Sequence, residues 1–311
     1  MEKIVKAVHT LGEQADDLQR KKILIALRDL STYIETPQDT MPRISHAHLE
    51  PILIRIGHKL RIFQLVTEAK QPLTVDELAQ KTDTNPSLLS ATNFHFTKSR
   101  ILRYLASVGA LKETAKETYS ASKITLSLNE PGFESAIYHN VETIAPGFWA
   151  FSEYLEENKY QEICDPTNTP FQKAWKLGGQ NPFAWLHPSK KSSPTSIASW
   201  RPNTKACASG WTGTNLLLSQ HHAHDYPDEK AMEILQNTTS AMGPDSVILI
   251  DDMVIPNMGA HWHATQVDMV MMVSLASRER TVDQWNALVA KAGLQIKRLF
   301  YVHGQSGRQY T

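Results

Sequence analysis

A histidine–aspartate pair at a predicted helix start is the part of this sequence whose residue types and spacing suit acid–base chemistry. It lies in residues 224–230 (HDYPDEK), where acidic residues follow His224 at a position that favours negative charge. Asp228 is placed to cap the helix predicted over 231–242. A histidine of near-neutral pKa can take up a proton, and a neighbouring carboxylate fixes its tautomer. An isolated pair of this kind is more often structural, so it indicates only a candidate site.

A buried strand must bring further groups to this pair. Residues 246–256 (SVILIDDMVIP) form a continuous apolar run interrupted by Asp251 and Asp252. Strands of this kind are usually buried on both faces of an α/β sheet. Open α/β sheets bind ligands beyond their strand ends. We therefore predict an α/β domain in which His224 and Asp252 meet in one cleft.

Composition excludes several classes of protein. The 311 residues hold 32 basic and 32 acidic side chains, so the chain offers no basic field for nucleic acid. It contains no apolar run of about 18 residues, the length of a membrane-spanning helix. Two cysteines, Cys164 and Cys207, suit a reducing compartment. We expect a soluble, cytoplasmic protein without nucleic-acid or membrane partners.

The N-terminal half is predicted to be helical. Residues 1–35 show helical spacing of apolar residues, which predicts one long helix. This apolar stripe is covered either within the chain or by a partner, and together with the apolar residues of 51–69 it leads us to expect a homodimer. Between 51 and 128, three helices and a β-ribbon over 111–128 make the pattern of a winged helix. Its third helix, at 100–109, carries few basic residues, which argues against DNA binding.

Two local patterns qualify this picture. Thr74 and Glu77 form a capping box that opens one of the helices, and Asn85-Pro86 indicates a second helix start. Residues 90–99 separate two halves of a pattern that would otherwise run on as helix. That segment is either a genuine loop or extra translated sequence.

Aromatic and methionine side chains are candidates for a substrate pocket. Trp149 lies in an aromatic run at 148–151, and Met269 and Met272 lie in a methionine-rich stretch at 264–280. Such side chains suit a flat substrate, although core packing is their commoner use. The histidines at 221, 222, 224, 261 and 263 match no standard zinc spacing, so we expect no metal site.

As a set, five segments resemble the small-molecule O-methyltransferases of the plant caffeate type, in their fungal secondary-metabolism branch. They are residues 100–109, 147–151, 224–230, 251–256 and 278–281, and the likeness covers about 50–187 and 224–303. The resemblance implies a winged-helix dimerisation domain and a Rossmann-like domain that binds S-adenosyl-L-methionine. It also implies that His224 is the catalytic base, flanked by Asp252 and Glu279, with an aspartate at 252 where glutamate is usual.

The sequence departs from this family in the cofactor-binding part. The glycine-rich turn that cradles the cofactor and the acidic residue that holds its ribose have no counterpart, so the cofactor-binding residues are unknown. Only 38 residues, 186–223, separate Trp185 from His224, and a single βαβ unit takes about 30. Permitted codons for 188–214 and 216–223, read out of frame, can spell family-like sequence. We hypothesise that 188–223 is out-of-frame translation around a lost or mis-spliced core.

These inferences define four regions and a function. We predict a mainly helical α/β protein with a dimerisation domain at 1–130, linking helices and pocket aromatics at 131–187, an irregular segment at 188–223 and a truncated Rossmann-like remainder at 224–311. The resemblance implies methyl transfer from S-adenosyl-L-methionine to a phenolic or enolic hydroxyl of a small aromatic or polyketide-like metabolite, impaired in this chain. The alternatives are a non-methylating relative, of dehydratase or cyclase type, and a non-enzymatic dimerisation partner.

Overall fold

The computed structural model describes residues 1–84, 100–186, 216–220, 224–240, 243, 246–301 and 308–310. The chain divides into two compact units. The sheet unit comprises Met1–Thr40, Gly147–Ala184 and Cys207–Thr311, and the helical unit comprises Met41–Pro146 and Trp185–Ala206. The described elements form a mainly helical α/β protein, as predicted. No helix in the described part of the chain is long and apolar enough to cross a membrane.

The N-terminus forms two helices where we predicted one. Helix α1 spans Glu2–Gln14 and α2 spans Asp17–Ile34, and neither buries a residue. The break has a local cause, because the Asp16 carboxylate accepts the backbone N–H of Gln19 at 2.8 Å and starts a new helix with a capping box. Residues 1–40 also group with the C-terminal half, whereas we predicted one domain over 1–130.

The helical unit packs a series of short helices on a three-stranded antiparallel sheet. In chain order its elements are α3 Pro37–Ser45 (which begins in the sheet unit), α4 Leu49–Lys59, α5 Ile62–Glu68, β1 Leu73–Thr74, α6 Val75–Thr82, α7 Arg100–Ser107, β2 Leu111–Ala115, β3 Thr118–Ala121, α8 Lys123–Leu128, α9 Pro131–Tyr138 and a π-helix His139–Ile144. The strand order is β1-β3-β2. Phe63, Leu78, Leu102 and Tyr119 are fully buried in its core.

Several predictions for this unit can be compared with the structure. The capping box is confirmed, since Thr74 Oγ1 accepts the Glu77 N–H and the Glu77 carboxylate accepts the Thr74 N–H at 2.7 Å. The ribbon prediction was wrong beyond Ala121, because Ser122 caps the Thr125 N–H and starts α8. The predicted start at 85–86 and the segment 90–99 lie outside the described residues.

The sheet unit is built around one long strand. Its elements are α10 Ala145–Glu157 (which begins in the helical unit), α11 Pro170–Trp175, α12 Pro182–Leu186 (which ends in the helical unit), β4 Leu216–Gln220, α13 Asp228–Ser240, β5 Val247–Ile255, α14 Trp262–Leu275, β6 Arg280–Thr281, α15 Val282–Lys291, β7 Phe300–Tyr301 and β8 Arg308–Tyr310. Strand β5 pairs in parallel with β4 and β6 and antiparallel with β8. Ile250 and Val254 on β5 pack against Leu235, Trp285 and Leu288.

Two parts of this unit differ from the sequence predictions. Leu216–Gln220 forms β4 inside the segment expected to be irregular, where three consecutive leucines lie opposite the apolar start of β5. The predicted final strand over 294–302 is limited, in the described residues, to Phe300–Tyr301, because the preceding residues take no regular ladder.

Candidate active site

Three carboxylates surround the imidazole of His224, which lies in the histidine loop (residues 224–227) between β4 and α13. Its Nδ1 is hydrogen-bonded to Asp252 Oδ1 and lies 3.7 Å from Glu279 Oε1. Its Nε2 lies 3.3 Å from Asp225 Oδ1. The structure therefore brings together the three residues predicted to be catalytic, and it adds Asp225, which the sequence reasoning had not given a role.

The two carboxylates at Nδ1 are placed by strands. Asp252 lies on β5 between Ile250 and Val254 along the buried face, and it is 1% exposed. Glu279, 3% exposed, immediately precedes β6, which pairs with the end of β5. Within the described residues, Asp252 Oδ2 and both carboxylate oxygens of Glu279 have no hydrogen-bond partner. Burying such groups is costly without a compensating charge, and His224 is the group beside them that can supply it.

The charges around His224 set its protonation. Burial by itself would lower the pKa of His224, but hydrogen bonds to Asp225 and Asp252 and the charges of Asp252 and Glu279 outweigh burial and raise the pKa to about 11. Burial is also the main cause that raises the pKa of Glu279 to about 7, with Asp252 adding to it and His224 opposing it. The expectation of a near-neutral pKa for His224 was wrong. At neutral pH His224 holds a proton, whereas Glu279 ionises near neutral pH.

Glu279→Gln is expected to stabilise the protein above neutral pH. Because its pKa is raised, the folded state binds this proton more tightly than the unfolded chain does. The free energy of unfolding therefore falls as pH rises from about 4.5 to about 7. Glutamine keeps the shape without the charge, and His224 keeps Asp225 and Asp252 as partners. We expect a gain of about 1–3 kcal/mol at pH 8 and little change at pH 4.5, measured by urea unfolding.

The matched control is Glu233→Gln, an exposed glutamate of α13 that pairs with Lys230. Its effect should stay within about 0.5 kcal/mol at both pH values. A loss of stability in Glu279→Gln at pH 8 would show that the carboxylate of Glu279 is held favourably as an anion.

The histidine loop is held by residues that the sequence reasoning missed. Ser277 Oγ donates to the carbonyl oxygens of His224 and, at 3.1 Å, Tyr226. Arg280, 1% exposed, donates to Tyr226 O at 2.9 Å and to the Asp228 carboxylate at 2.9 Å. Asp228 is thus the first residue of α13 and pairs with Arg280, which corrects its predicted role as a helix cap.

The three predicted substrate-binding residues, Met272, Trp149 and Met269, differ from one another in burial and contacts. Met272 packs against the core cluster of Tyr154, Ile163 and Ala276, so its first role is core packing. Trp149 is 69% exposed and Met269 is 36% exposed. Their predicted contact with substrate therefore stays a prediction.

The same cluster has donor atoms that suit a metal ion. The ligand atoms of His224, Asp252 and Glu279 lie within 4.8 Å of one another. An ion would have to displace the proton on His224 and break its hydrogen bond to Asp252. The arrangement is therefore that of an ion-paired histidine. His261, another histidine considered for metal binding, caps α14 through the His263 N–H.

The described residues do not fit S-adenosyl-L-methionine. The cofactor needs a glycine turn after a parallel strand, so that backbone can approach it closely, and an acidic partner for its ribose. Strand β4 is followed by His221-His222-Ala223, and β5 by Pro256 and Asn257, so neither leads directly into a glycine turn. Asp252 on β5 is already engaged with His224.

Comparison with known proteins places these features in a family. A family model for the O-methyltransferase domain matches residues 213–295. The O-methyltransferase lepI of Aspergillus flavus is 30% identical, over 94% of this chain and 93% of the relative. A demethylsterigmatocystin 6-O-methyltransferase of Aspergillus parasiticus is 26% identical, over 95% of this chain and 93% of the relative.

Solved structures agree with this similarity to O-methyltransferases. LepI in complex with S-adenosyl-L-methionine superposes with a TM-score of 0.85 at 28% identity, covering 99% of this chain and 97% of that chain. A structure described as a pericyclic reaction enzyme gives a TM-score of 0.86 at 28% identity with the same coverage.

The alignment with the Aspergillus flavus relative also contains many gaps. It runs over 376 positions, although this chain has 311 residues, so at least 65 positions of the relative stand opposite gaps. The similarity nevertheless extends over nearly the full length of both proteins. With 30% identity on that scale, this chain belongs to the O-methyltransferase family.

Proposed function

We propose that this chain carries the proton-handling part of an active site for a small phenolic or enolic metabolite, aromatic or polyketide-like. The observation that carries the proposal is the imidazole of His224 set between three carboxylates, two of them buried and without other hydrogen-bond partners in the described residues. The activities for which the relatives are named support this substrate class, since one is a demethylsterigmatocystin 6-O-methyltransferase. Methyl transfer requires such a hydroxyl oxygen to lose its proton.

The proton path follows from the geometry. The Nε2–H of the His224 imidazolium donates to the substrate oxygen, while the substrate hydroxyl gives its proton to the ionised carboxylate of Glu279. Asp252 accepts a hydrogen bond from Nδ1 and fixes the ring. The substrate is left as an oxyanion beside the imidazolium, and the cluster gains one proton, on Glu279. Glu279 must begin ionised, so this step is expected above its pKa of about 7. The described residues supply no methyl-donor site, so the steps end at the oxyanion.

Ionisation of a bound chromogenic phenol tests this assignment in the protein as it exists. A probe such as 4-nitrophenol is expected to bind as the phenolate, with the bound fraction in that form rising through about pH 7 as Glu279 ionises. Absorbance titration at pH 6 and pH 8 measures it. His224→Gln should abolish the change, and Glu233→Gln should leave it intact. A probe that binds only as the neutral phenol would overturn the assignment.

For the architecture we propose a winged helix in the helical unit and a truncated Rossmann-like domain in the sheet unit. Three described helices and the β1-β3-β2 sheet support the first. The parallel pairing of β4, β5 and β6 supports the second. The 65 or more unmatched positions of the relative support a missing segment. The hypothesis of out-of-frame translation over 188–223 is kept for 188–212, because the family model matches from residue 213 and β4 pairs with β5.

We also propose a homodimer formed through α2. Its apolar stripe is exposed, with Leu27, Leu30 and Ile34 at 37%, 58% and 75%. Large exposed apolar faces of this kind are typical of protein interfaces. Leu30→Glu is expected to raise the dimer dissociation constant at least tenfold, because it buries a charge in an apolar contact. Ser31→Glu adds the same charge one residue off the stripe and should have a small effect.

Sedimentation equilibrium at micromolar concentration measures both variants. A wild-type chain that is monomeric under these conditions would contradict the dimer.

A second candidate function is rearrangement or cyclisation of the substrate without methylation. The observation behind it is the similarity to a structure described as a pericyclic reaction enzyme, with a TM-score of 0.86 at 28% identity. A site that ionises a hydroxyl needs no methyl donor to promote such a step. Turnover of a substrate in the absence of S-adenosyl-L-methionine, with no gain in mass, would identify this activity.

A further inference from the structure

We propose that Ser277 is a positioning residue for His224, acting through the backbone of the histidine loop. The inference rests on the proposed role of His224. The catalytic atoms are on the imidazole, whereas Ser277 contacts the main chain of the loop. Its hydroxyl donates to the carbonyl oxygens of His224 and Tyr226. A hydroxyl has one proton, so the two carbonyls share it.

The position of Ser277 is itself fixed. Ala276 ends α14 in the left-handed conformation, with φ of 54°, and its N–H bonds to the carbonyl of Met272. The Ser277 N–H then reaches the carbonyl of Met271. Ser277 is 3% exposed, so its hydroxyl faces a buried environment where a lost hydrogen bond is costly. The end of α14 therefore presents this hydroxyl to the loop.

Two of the three carboxylates beside His224 are held by other elements, whereas the third, Asp225, belongs to the histidine loop itself. Asp252 belongs to β5, and Glu279 precedes β6, whose pairing with β5 joins Val254 to Arg280. The Glu279 N–H is also tied to Asp268 of α14 at 2.9 Å. If the loop shifts, the imidazole moves relative to carboxylates that stay in place. Ser277 thus sets the distance between His224 and the two buried carboxylates, Asp252 and Glu279.

Arg280 holds the other half of the loop. It donates to Tyr226 O and to Asp228 and stacks 5.4 Å from the Trp285 ring centre. In Ser277→Ala, this contact keeps Tyr226 anchored, so the loop is expected to stay folded. The His224 carbonyl loses the Ser277 hydroxyl. The change is therefore confined to the residue whose position matters.

The test is a titration of His224 in the full 311-residue chain. The histidines, 13 in all, are labelled with ¹³C at Cε1, and the His224 signal is identified by its loss in His224→Gln. In Ser277→Ala the midpoint of the His224 titration is expected to move to lower pH by about one pH unit. That shift is equivalent to about one hydrogen bond. Ser277→Thr keeps a hydroxyl and should restore most of the wild-type midpoint.

The matched control is Thr281→Ala. It removes the cap of α15, where Thr281 Oγ1 accepts the Gln284 N–H at 3.2 Å, and costs a comparable amount of stability without contacting the loop. Its midpoint should match that of the wild type. An unchanged midpoint in Ser277→Ala, or an equal shift in Thr281→Ala, would overturn the proposal. Should Ser277→Ala fail to fold, Ser277→Cys keeps the volume with a weaker donor, and an unchanged midpoint there would overturn it as well.

This measurement reports the proton on His224 without any substrate. If the proposed chemistry at the hydroxyl fails while the midpoint shifts as expected, Ser277 still positions the histidine. If the midpoint is unmoved while the phenol probe is ionised, the proposed function stands and Ser277 has only a structural role.

Discussion

Calorimetric titration of this chain with S-adenosyl-L-methionine is expected to show no binding at micromolar concentration, and phenolic substrates are expected to remain unmethylated. A sulfonium cofactor needs close backbone approach at a glycine turn and a carboxylate for its ribose. Neither β4 nor β5 leads directly into such a turn, and Asp252 is engaged with His224. The solved relative that holds the cofactor shares the fold of this chain. We therefore expect the loss of cofactor binding to come from the segment between Trp185 and His224, and not from the fold as a whole.

A chimaera provides the positive control. The segment between Leu186 and His224 is replaced by the corresponding segment of the Aspergillus flavus relative, which tests whether the positions that stand opposite gaps lie there. Restored binding with a dissociation constant in the micromolar range would support the missing segment. Micromolar binding and methyl transfer by the 311-residue chain itself would contradict the prediction, and would mean that 187–223 forms a cofactor site of an unfamiliar kind.

The second large effect is expected from the His224→Ala substitution in a form of the protein that converts a substrate. In the chimaera, or in this chain with a substrate that it rearranges without a cofactor, the substitution should lower turnover by roughly two to four orders of magnitude. It removes the cation that stabilises the substrate oxyanion and leaves Asp252 and Glu279 buried without a compensating charge. Initial rates at pH 8 measure the loss, because Glu279 is then mainly ionised.

His261→Ala is the control for this substitution, since it removes a histidine of the same unit that caps α14. Its rate should lie within a few-fold of the wild type. A loss of less than tenfold in a folded His224→Ala variant would assign the stabilisation of the oxyanion to another residue.

Because of these pKa shifts, we expect that His224 alone does not set the pH dependence of stability or of phenol ionisation. A carboxylate on either side of the ring makes His224 a cation over the physiological range. The buried Glu279 carries the titration near pH 7 instead. Glu279→Gln should therefore change both the stability profile and the ionisation of a bound phenol, and the same carboxylate links these two predictions.

Local sequence determined much of the secondary structure. The capping box at Thr74 was predicted and is present, because a hydroxyl three residues before a polar side chain satisfies the same N–H groups wherever it occurs. The long buried strand was also predicted from its apolar run, and it is β5. Asp16 shows the limit: its capping box divides the N-terminal stripe into two helices, and the apolar spacing on either side concealed the break.

The sequence also determined which residues could meet, but tertiary structure decided how. The resemblance pointed to His224, Asp252 and Glu279, and the structure brings them together from a loop, a strand and the residue before another strand. Protonation could not be derived from the motif, because it depends on distances and burial among residues up to 55 positions apart in the chain. Ser277 had no sequence signal, since a single serine at a helix end contacts whatever loop the fold packs against it. Packing alone gave that hydroxyl a partner.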